Sequence, residues 1–229
     1  MKIAVTRLTG KEKNDAARCA QFGHICYSVH PLHSEIRSHA IKLFIEAVER
    51  GEFDCLFFTS ALPAKIIAPL LNRYPRIIAI GPQTAKELLH FNIDCETLTS
   101  FYSRDFVPYL GDWVRGKHIG IPRADVPNHS LIDAISAAGG IPHEFKCYSL
   151  QPTGESLNLD EADAVLFTST MSYTKAVWKK NPDLIVMAIG DITAAKMRES
   201  GTDPIVIGDG SLEGSLTALN EYLTRQGSG

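Results

Sequence analysis

The chain repeats itself. FDCLFFTSALPAKII at 53–67 returns as ADAVLFTSTMSYTKAV at 162–177, and IIAIGPQTAKELL at 77–89 returns as VMAIGDITAAKM at 186–197. One gap-free offset of 109 residues joins both pairs, with Asp54/Asp163, Phe58/Phe167, Thr59/Thr168, Ser60/Ser169, Gly81/Gly190 and Thr84/Thr193 identical. The openings of the two copies match more weakly, MKIAVTR against GKHIGIPR, at an offset of 116. A period this long indicates a duplicated domain rather than a solenoid. Whatever one copy folds into, the other must fold into as well.

Each copy alternates short apolar runs with longer amphipathic ones. KIAVTR, HICYSV, DCLFFTS, RIIAIG, KHIGIP, PHEFKCYSL, DAVLFTS and LIVMAIG are apolar at successive positions rather than at every second one. Strands apolar on both faces belong to sheets covered on both sides, as βαβ winding produces. SEIRSHAIKLFIEAVERG reads as a helix, with Ile36, Ala40, Leu43, Phe44 and Val48 at helical spacing and Gly51 as a stop. Further helices are expected to start at Thr84, Ser130, Thr193 and Ser211. The pattern is that of an α/β protein with parallel sheets.

Charge narrows the function. The 23 Lys and Arg against 26 Asp and Glu give a formal charge of -3, the wrong sign for a duplex-binding surface, so no nucleic-acid partner is expected. No apolar run reaches the roughly 18–20 residues that span a bilayer, and MKIAVTR enters a strand pattern without the apolar core of a signal peptide. The expectation is a cytoplasmic monomer with no membrane partner. Five widely spaced cysteines without a CxxC pair read as reduced apolar residues, and His30, His33 and His39 as a polar connection. No metal site is expected.

No GxGxxG, GxxxxGK[ST] or GxSxG motif is present. The polar turns that end the strands are the candidates instead: Thr59-Ser60, Gly81 to Thr84, Arg123 to Val126, Thr168-Ser169 and Gly190 to Thr193. Ligands of open α/β sheets bind outside the carboxyl ends of the strands. In the turns IGPQTA and IGDITA a Gly permits the bend and the following Thr can cap the next helix, and the amides and hydroxyls gathered at all five turns suit anions. Arg7 and Arg123 end the matching opening strands, and either can grip a carboxylate.

Taken in order, IAVTR, LFFTSALPA, AIGPQTAKEL, GGIPHEFKCYSLQP, LFTSTMS and AIGDITAAKM followed by GTDPIVI resemble the uroporphyrinogen-III synthase family over nearly the whole chain. Asp191 and Thr170 stand where that pattern usually has proline, and ADVPNHSL replaces a loop with glycine and arginine. The resemblance implies two flavodoxin-like α/β domains joined by two crossing linkers, with the active site between them. The first would comprise 1–31 plus 152–229, the second 32–151. His30-Pro31-Leu32-His33 and Leu150-Gln151-Pro152-Thr153 read as the proline-bearing breaks such crossings need.

The family cyclises linear hydroxymethylbilane to uroporphyrinogen III, losing water and inverting the last pyrrole ring, with no cofactor. The resemblance places its functional tyrosine on Tyr148. A phenol titrates near 10, so it stays protonated and can donate to a leaving hydroxyl. Tyr102 and Tyr173 are alternatives near the turns. Substrate carboxylates would be held by Arg7, Thr59, Ser60, Gly81, Thr84, Arg123, Thr168, Ser169, Gly190 and Thr193. The rival readings are a non-catalytic tetrapyrrole-binding relative, a two-domain small-molecule binder and a flavin protein. The last would need a hydroxyl-rich loop after the first strand, where the chain has RLTGKEKN.

Overall fold

The computed structural model describes residues 1–9 and 14–227, so part of the RLTGKEKN segment lies outside the described residues. The elements in chain order are β1 (Lys2–Thr6), α1 (Asp15–Gln21), β2 (Ile25–Val29), β3 (Leu32–Ile36), α2 (Ser38–Glu49), β4 (Cys55–Phe58), α3 (Ala61–Ile67), β5 (Arg76–Ala79) and α4 (Pro82–Leu89). They continue with β6 (Glu96–Thr97), α5 (Phe106–Leu110), β7 (His118–Ala124), α6 (His129–Ala137), β8 (Ile141–Pro152), β9 (Ala164–Phe167) and α7 (Thr170–Thr174). β10 (Ile185–Ala188), α8 (Asp191–Glu199), β11 (Val206–Ile207) and α9 (Leu212–Gly227) complete the chain. Two compact units result, Met1–Ser34 with Gln151–Gly229, and Glu35–Leu150.

Both units are α/β with parallel sheets, as the apolar runs require, save for the edge strand β3 of the second. The first sheet has the order β11-β10-β9-β1-β2, the second β3-β8-β7-β4-β5-β6. Read from β2, the first is the flavodoxin-like order 2-1-3-4-5. In the second unit β8-β7-β4-β5-β6 repeats that spatial order, but the chain enters at the third position. The reason is connectivity. The chain builds β1 and β2, leaves to complete the whole second unit, and returns at β9. The matching strand pairs β4/β9 and β5/β10 keep the 109-residue offset, whereas β7, built last but one in its unit, matches β1 at 116.

The strands are buried on both faces. In β4, Cys55 and Phe57 join a core with Phe106, Ile119 and Ile121, while Leu56 and Phe58 join one with Phe44, Ile67 and Cys147. β9 divides likewise, Ala164 and Leu166 packing with Ile3 and Leu216, Val165 and Phe167 with Tyr173 and Met197. Each large side chain buried in this way contributes roughly 1.5–3 kcal/mol. At the amino edges the repeated aspartates do the same work twice. The Asp54 backbone amide donates to the His118 carbonyl at 2.9 Å and its carboxylate accepts the His118 amide at 2.9 Å. Asp163 and Lys2 repeat the exchange at 2.8 and 2.7 Å. The His118 amide, then Lys117, holds the Asp54 carboxyl below its ordinary range.

Three local expectations are corrected. The stretch expected to open a helix at Ser34 begins as strand β3, and α2 starts only at Ser38. The Leu150–Pro152 break is instead the end of the twelve-residue β8. β3 and β8 run in opposite directions: the Arg37 amide donates to the Cys147 carbonyl at 2.9 Å, and that of Thr153 to Pro31 at 3.0 Å. This pairing between segments over a hundred residues apart outweighs the local proline and histidine signals. Cys19 and Cys26 form a disulfide across α1 and β2, and Cys55, Cys95 and Cys147 are free. No described helix is long and apolar enough to cross a membrane.

Two histidines make stability depend on pH. Burial holds His24 below its ordinary value, and burial with neighbouring His118 does so for His143. The His118 Nδ1 lies 3.0 Å from the His143 Nε2. The unfolded chain therefore takes up these protons first as the pH falls below about 6.5, so the stability they contribute is complete above that value and declines beneath it. The melting temperature should be lower at pH 5.5 than at pH 7.5, and replacing His24 and His143 together by Gln should narrow the difference. A scan of both proteins across that range checks it.

Candidate active site

In the second unit the carboxyl edge begins at Ser60, the extended N-cap residue of α3. A capping serine accepts the amide of the third helical residue. Here that residue is Pro63, which has no amide hydrogen, and Ser60 makes no capping bond. Its hydroxyl instead lies 3.3 Å from the Tyr148 hydroxyl. In the other copy Ser172 replaces Pro63, and Ser169 is used up in a capping box, each serine bonding the other's amide at 3.0 Å. A single proline separates a hydroxyl that meets Tyr148 from one consumed by its own helix.

Tyr148 is 6% exposed and sits at an irregularity in β8. Arg123 pairs with Lys146 and Ala124 with Tyr148, so Cys147 is the extra residue. Such a bulge bends the strand and re-aims the next side chain. The Tyr148 carbonyl accepts the Asp125 amide at 2.7 Å. The Asp125 carboxylate is bracketed by Lys146 at 2.8 Å and Arg37 at 2.7 Å, which hold it below its ordinary range, Lys146 most strongly. Burial pushes the Cys147 thiol up to about 12, so it stays neutral beside the tyrosine and is no nucleophile.

The glycine turns differ from the sequence expectation. Gly81 and Gly190 are themselves the N-caps of α4 and α8, with no side-chain cap. Their φ values of -172° and -175° suit any residue. What glycine gives here is close approach: a Cβ on Gly81 would lie 3.2 Å from the Phe101 ring, and one on Gly190 3.3 Å from the Gly210 nitrogen, so either neighbour would have to shift. Thr84 and Thr193 stand three residues into their helices and are not caps. They are 2% and 4% exposed, and neither hydroxyl bonds to another group among the described residues.

The remaining predicted residues are more occupied. The Thr168 hydroxyl donates to the Thr6 carbonyl at 2.6 Å, and the Thr168 amide to the Thr6 hydroxyl at 2.9 Å. Arg7 pairs with the buried Asp15 at 2.6 Å. Arg123, also buried, bonds Glu144 and the Val126 carbonyl. Either arginine must give up its partner to take a substrate carboxylate. Tyr173 is a core residue, packed on Phe167 and donating to the Thr202 hydroxyl at 2.9 Å. Thr59 is half-buried at its turn. The structure thus brings Ser60 to Tyr148 within one unit. The Arg37–Asp125–Lys146 group has no sequence signature, because a β-bulge and a helix start assemble it. Among the described residues no three metal-binding side chains converge.

Two open parallel α/β sheets of one strand order, each with its polar turns at the carboxyl edge, define a duplicated flavodoxin-like protein. The family model for uroporphyrinogen-III synthase HemD matches residues 14–218, and the chain belongs to that family. Its fold is similar to that of a mutant uroporphyrinogen III synthase from the extremely thermophilic bacterium Thermus thermophilus, with TM-score 0.55, 16% identity and coverage of 97% of this chain and 99% of that one. It is also similar to uroporphyrinogen-III synthetase from Helicobacter pylori, with TM-score 0.64, 16% identity and coverage of 97% and 100%. No curated protein matches the sequence significantly.

The serine contrast is measurable. Ser169→Ala should lower stability by about 1 kcal/mol, the ordinary value of a cap, whereas Ser60→Ala should cost less because Ser60 caps nothing. Chemical denaturation of the two variants, side by side, checks this.

Proposed function

We propose that the chain is a uroporphyrinogen-III synthase, which cyclises hydroxymethylbilane to uroporphyrinogen III with loss of water and inversion of ring D. The observation that carries the reading is the Ser60–Tyr148 hydroxyl pair at 3.3 Å on the carboxyl edge of the second sheet. The reaction needs a weak acid near the departing hydroxyl, and a strong nucleophile there would trap the azafulvene cation. A phenol backed by a second hydroxyl, with the adjoining Cys147 thiol neutral and buried in the core, meets both needs. Tyr148 is the proposed catalytic acid, donating to the leaving oxygen while Ser60 holds the phenol in place. Such assistance accelerates a reaction by about 10²–10⁴-fold.

The substrate carries eight carboxylates on a protein of charge -3, so local donors must hold it. The uncapped amides at Gly81 and Gly190, with the Thr84 and Thr193 hydroxyls behind them, are the proposed anion sites. Arg7, Thr168 and Ser169 in the first unit and Thr59 and Arg123 in the second are the further proposed substrate contacts, with the two arginines exchanging their internal partners for substrate. No step in this scheme calls for a metal or an organic cofactor.

The direct test is incubation with enzymatically generated hydroxymethylbilane, followed by separation of the oxidised isomers. Isomer III is expected, and isomer I alone, the spontaneous product, overturns the reading. Tyr148→Phe should lower the rate by tens-fold or more, within the ceiling above, and should still yield isomer III, because shape selects the face of attack. An unimpaired variant would move the acid elsewhere. Thr84→Val and Thr193→Val should fold with undiminished stability, since each removes a buried hydroxyl that lacks a partner, and should weaken product affinity. Thermal melts paired with product titration separate the two effects.

A further inference from the structure

Phe101 has φ 61°, in the left-handed region. The other non-glycine residues there, among those described, are Asn14 and Asn92, a residue type that tolerates it; a bulky aromatic does not. The duplicate shows how the same place is filled without strain. At the 109-residue offset Phe101 corresponds to Gly210, which is left-handed at φ 100°. Both positions lie over the glycine that caps the neighbouring helix, Phe101 against Gly81 and Gly210 against Gly190. Where one copy uses glycine, the other holds a phenylalanine in a costly conformation. Burial does not repay it, because the residue is 54% exposed.

Its neighbours extend the feature. Tyr102 is 57% exposed, and the Arg104 guanidinium carbon stands 4.5 Å from the centre of its ring. Arg7 and Arg123 are held in internal ion pairs, but Arg104, also at the carboxyl edge, has no carboxylate partner among the described residues. Single exposed aromatics are ordinary. Two in succession, one strained and one carrying a cation with no carboxylate among the described residues, beside an uncapped helix start, are not. Strain kept at an exposed position is a reason to look for function.

We infer that Phe101, Tyr102 and Arg104 form a recognition platform for one pyrrole ring of the tetrapyrrole and its acidic arm. A flat ring would stack on the exposed aromatic faces, and its carboxylate would pair with the Arg104 fork. The inference rests on the proposed tetrapyrrole substrate and adds a specificity element to it. Phe101, Tyr102 and Arg104 bind and orient the substrate and take no part in the departure of water.

The test installs in this unit what its duplicate already has. Phe101→Gly should fold with equal or higher stability, because the strain is gone. It should raise the KM for hydroxymethylbilane and weaken binding of uroporphyrin III, followed by fluorescence, about three- to ten-fold, the scale of one aromatic contact. kcat and the isomer formed should hardly change. Phe101→Leu, which keeps apolar bulk without a π face, should weaken binding as the glycine does, and Arg104→Gln should also weaken it. Unchanged binding in Phe101→Gly, full binding in Phe101→Leu, or a large loss of stability in Phe101→Gly overturns the platform while leaving the synthase reading in place. A wild-type protein that binds uroporphyrin through Phe101 yet makes only isomer I removes the synthase reading and keeps the platform. A wild-type protein that binds no uroporphyrin and makes no isomer III ends both.

Discussion

Every central strand in both sheets is covered on two faces, and this constraint shapes the remainder of the molecule. Cys55 to Phe58 and Ala164 to Phe167 have no solvent-facing side, so polar chemistry is pushed to the strand ends. At the amino ends the polar groups serve the fold. Asp54 and Asp163 each fasten the first residue of the adjoining strand through a two-way amide exchange. At the carboxyl ends the helices begin, their first amides have no intrahelical acceptor, and hydroxyls and glycines gather around them. Stability and ligand chemistry are thereby kept at opposite edges of one sheet.

Duplication supplies an internal control. The two copies share strand order and turn positions, yet spend the same side chains differently. In the first unit Thr6, Thr168, Ser169 and Ser172 satisfy one another, leaving that turn closed on itself. In the second, Pro63 removes the amide that Ser60 would have capped, and Tyr148, turned by a bulge, takes up the hydroxyl. Phe101 in place of a glycine marks a similar divergence on the next turn. Scaffold residues were kept in both copies, and so were the uncapped glycine turns, while the hydroxyl pair and the exposed aromatics belong to the second alone.

The candidate site was legible to different depths. The strand-end turns at Thr59-Ser60, Gly81 to Thr84, Thr168-Ser169 and Gly190 to Thr193 stood out because they repeat at a fixed interval. Their roles did not. The spacing alone made Thr84 and Thr193 look like caps, whereas the backbone assigns capping to the glycines and buries the threonines. Arg7 and Arg123 looked available until their partners, Asp15 and Glu144, came into contact through folding. The pairing of β3 with β8 was invisible because each strand finds its partner more than a hundred residues away.

The sequence by itself determined the duplication, the α/β class and the parallel sheets, since apolar periodicity and a repeat offset are properties of the linear chain. Family membership follows from the same order of elements. Tertiary structure alone decided which hydroxyls are consumed as helix caps. A serine reads the same at 60 and at 169; only the helix that follows, with or without an amide at its third residue, determines whether its oxygen is consumed. It also decided that Phe101 lies strained over Gly81 and that Arg104 meets no carboxylate among the described residues. Hydrogen-bond partners and backbone strain depend on which distant atoms arrive at a position, and no local pattern in the chain records that arrival.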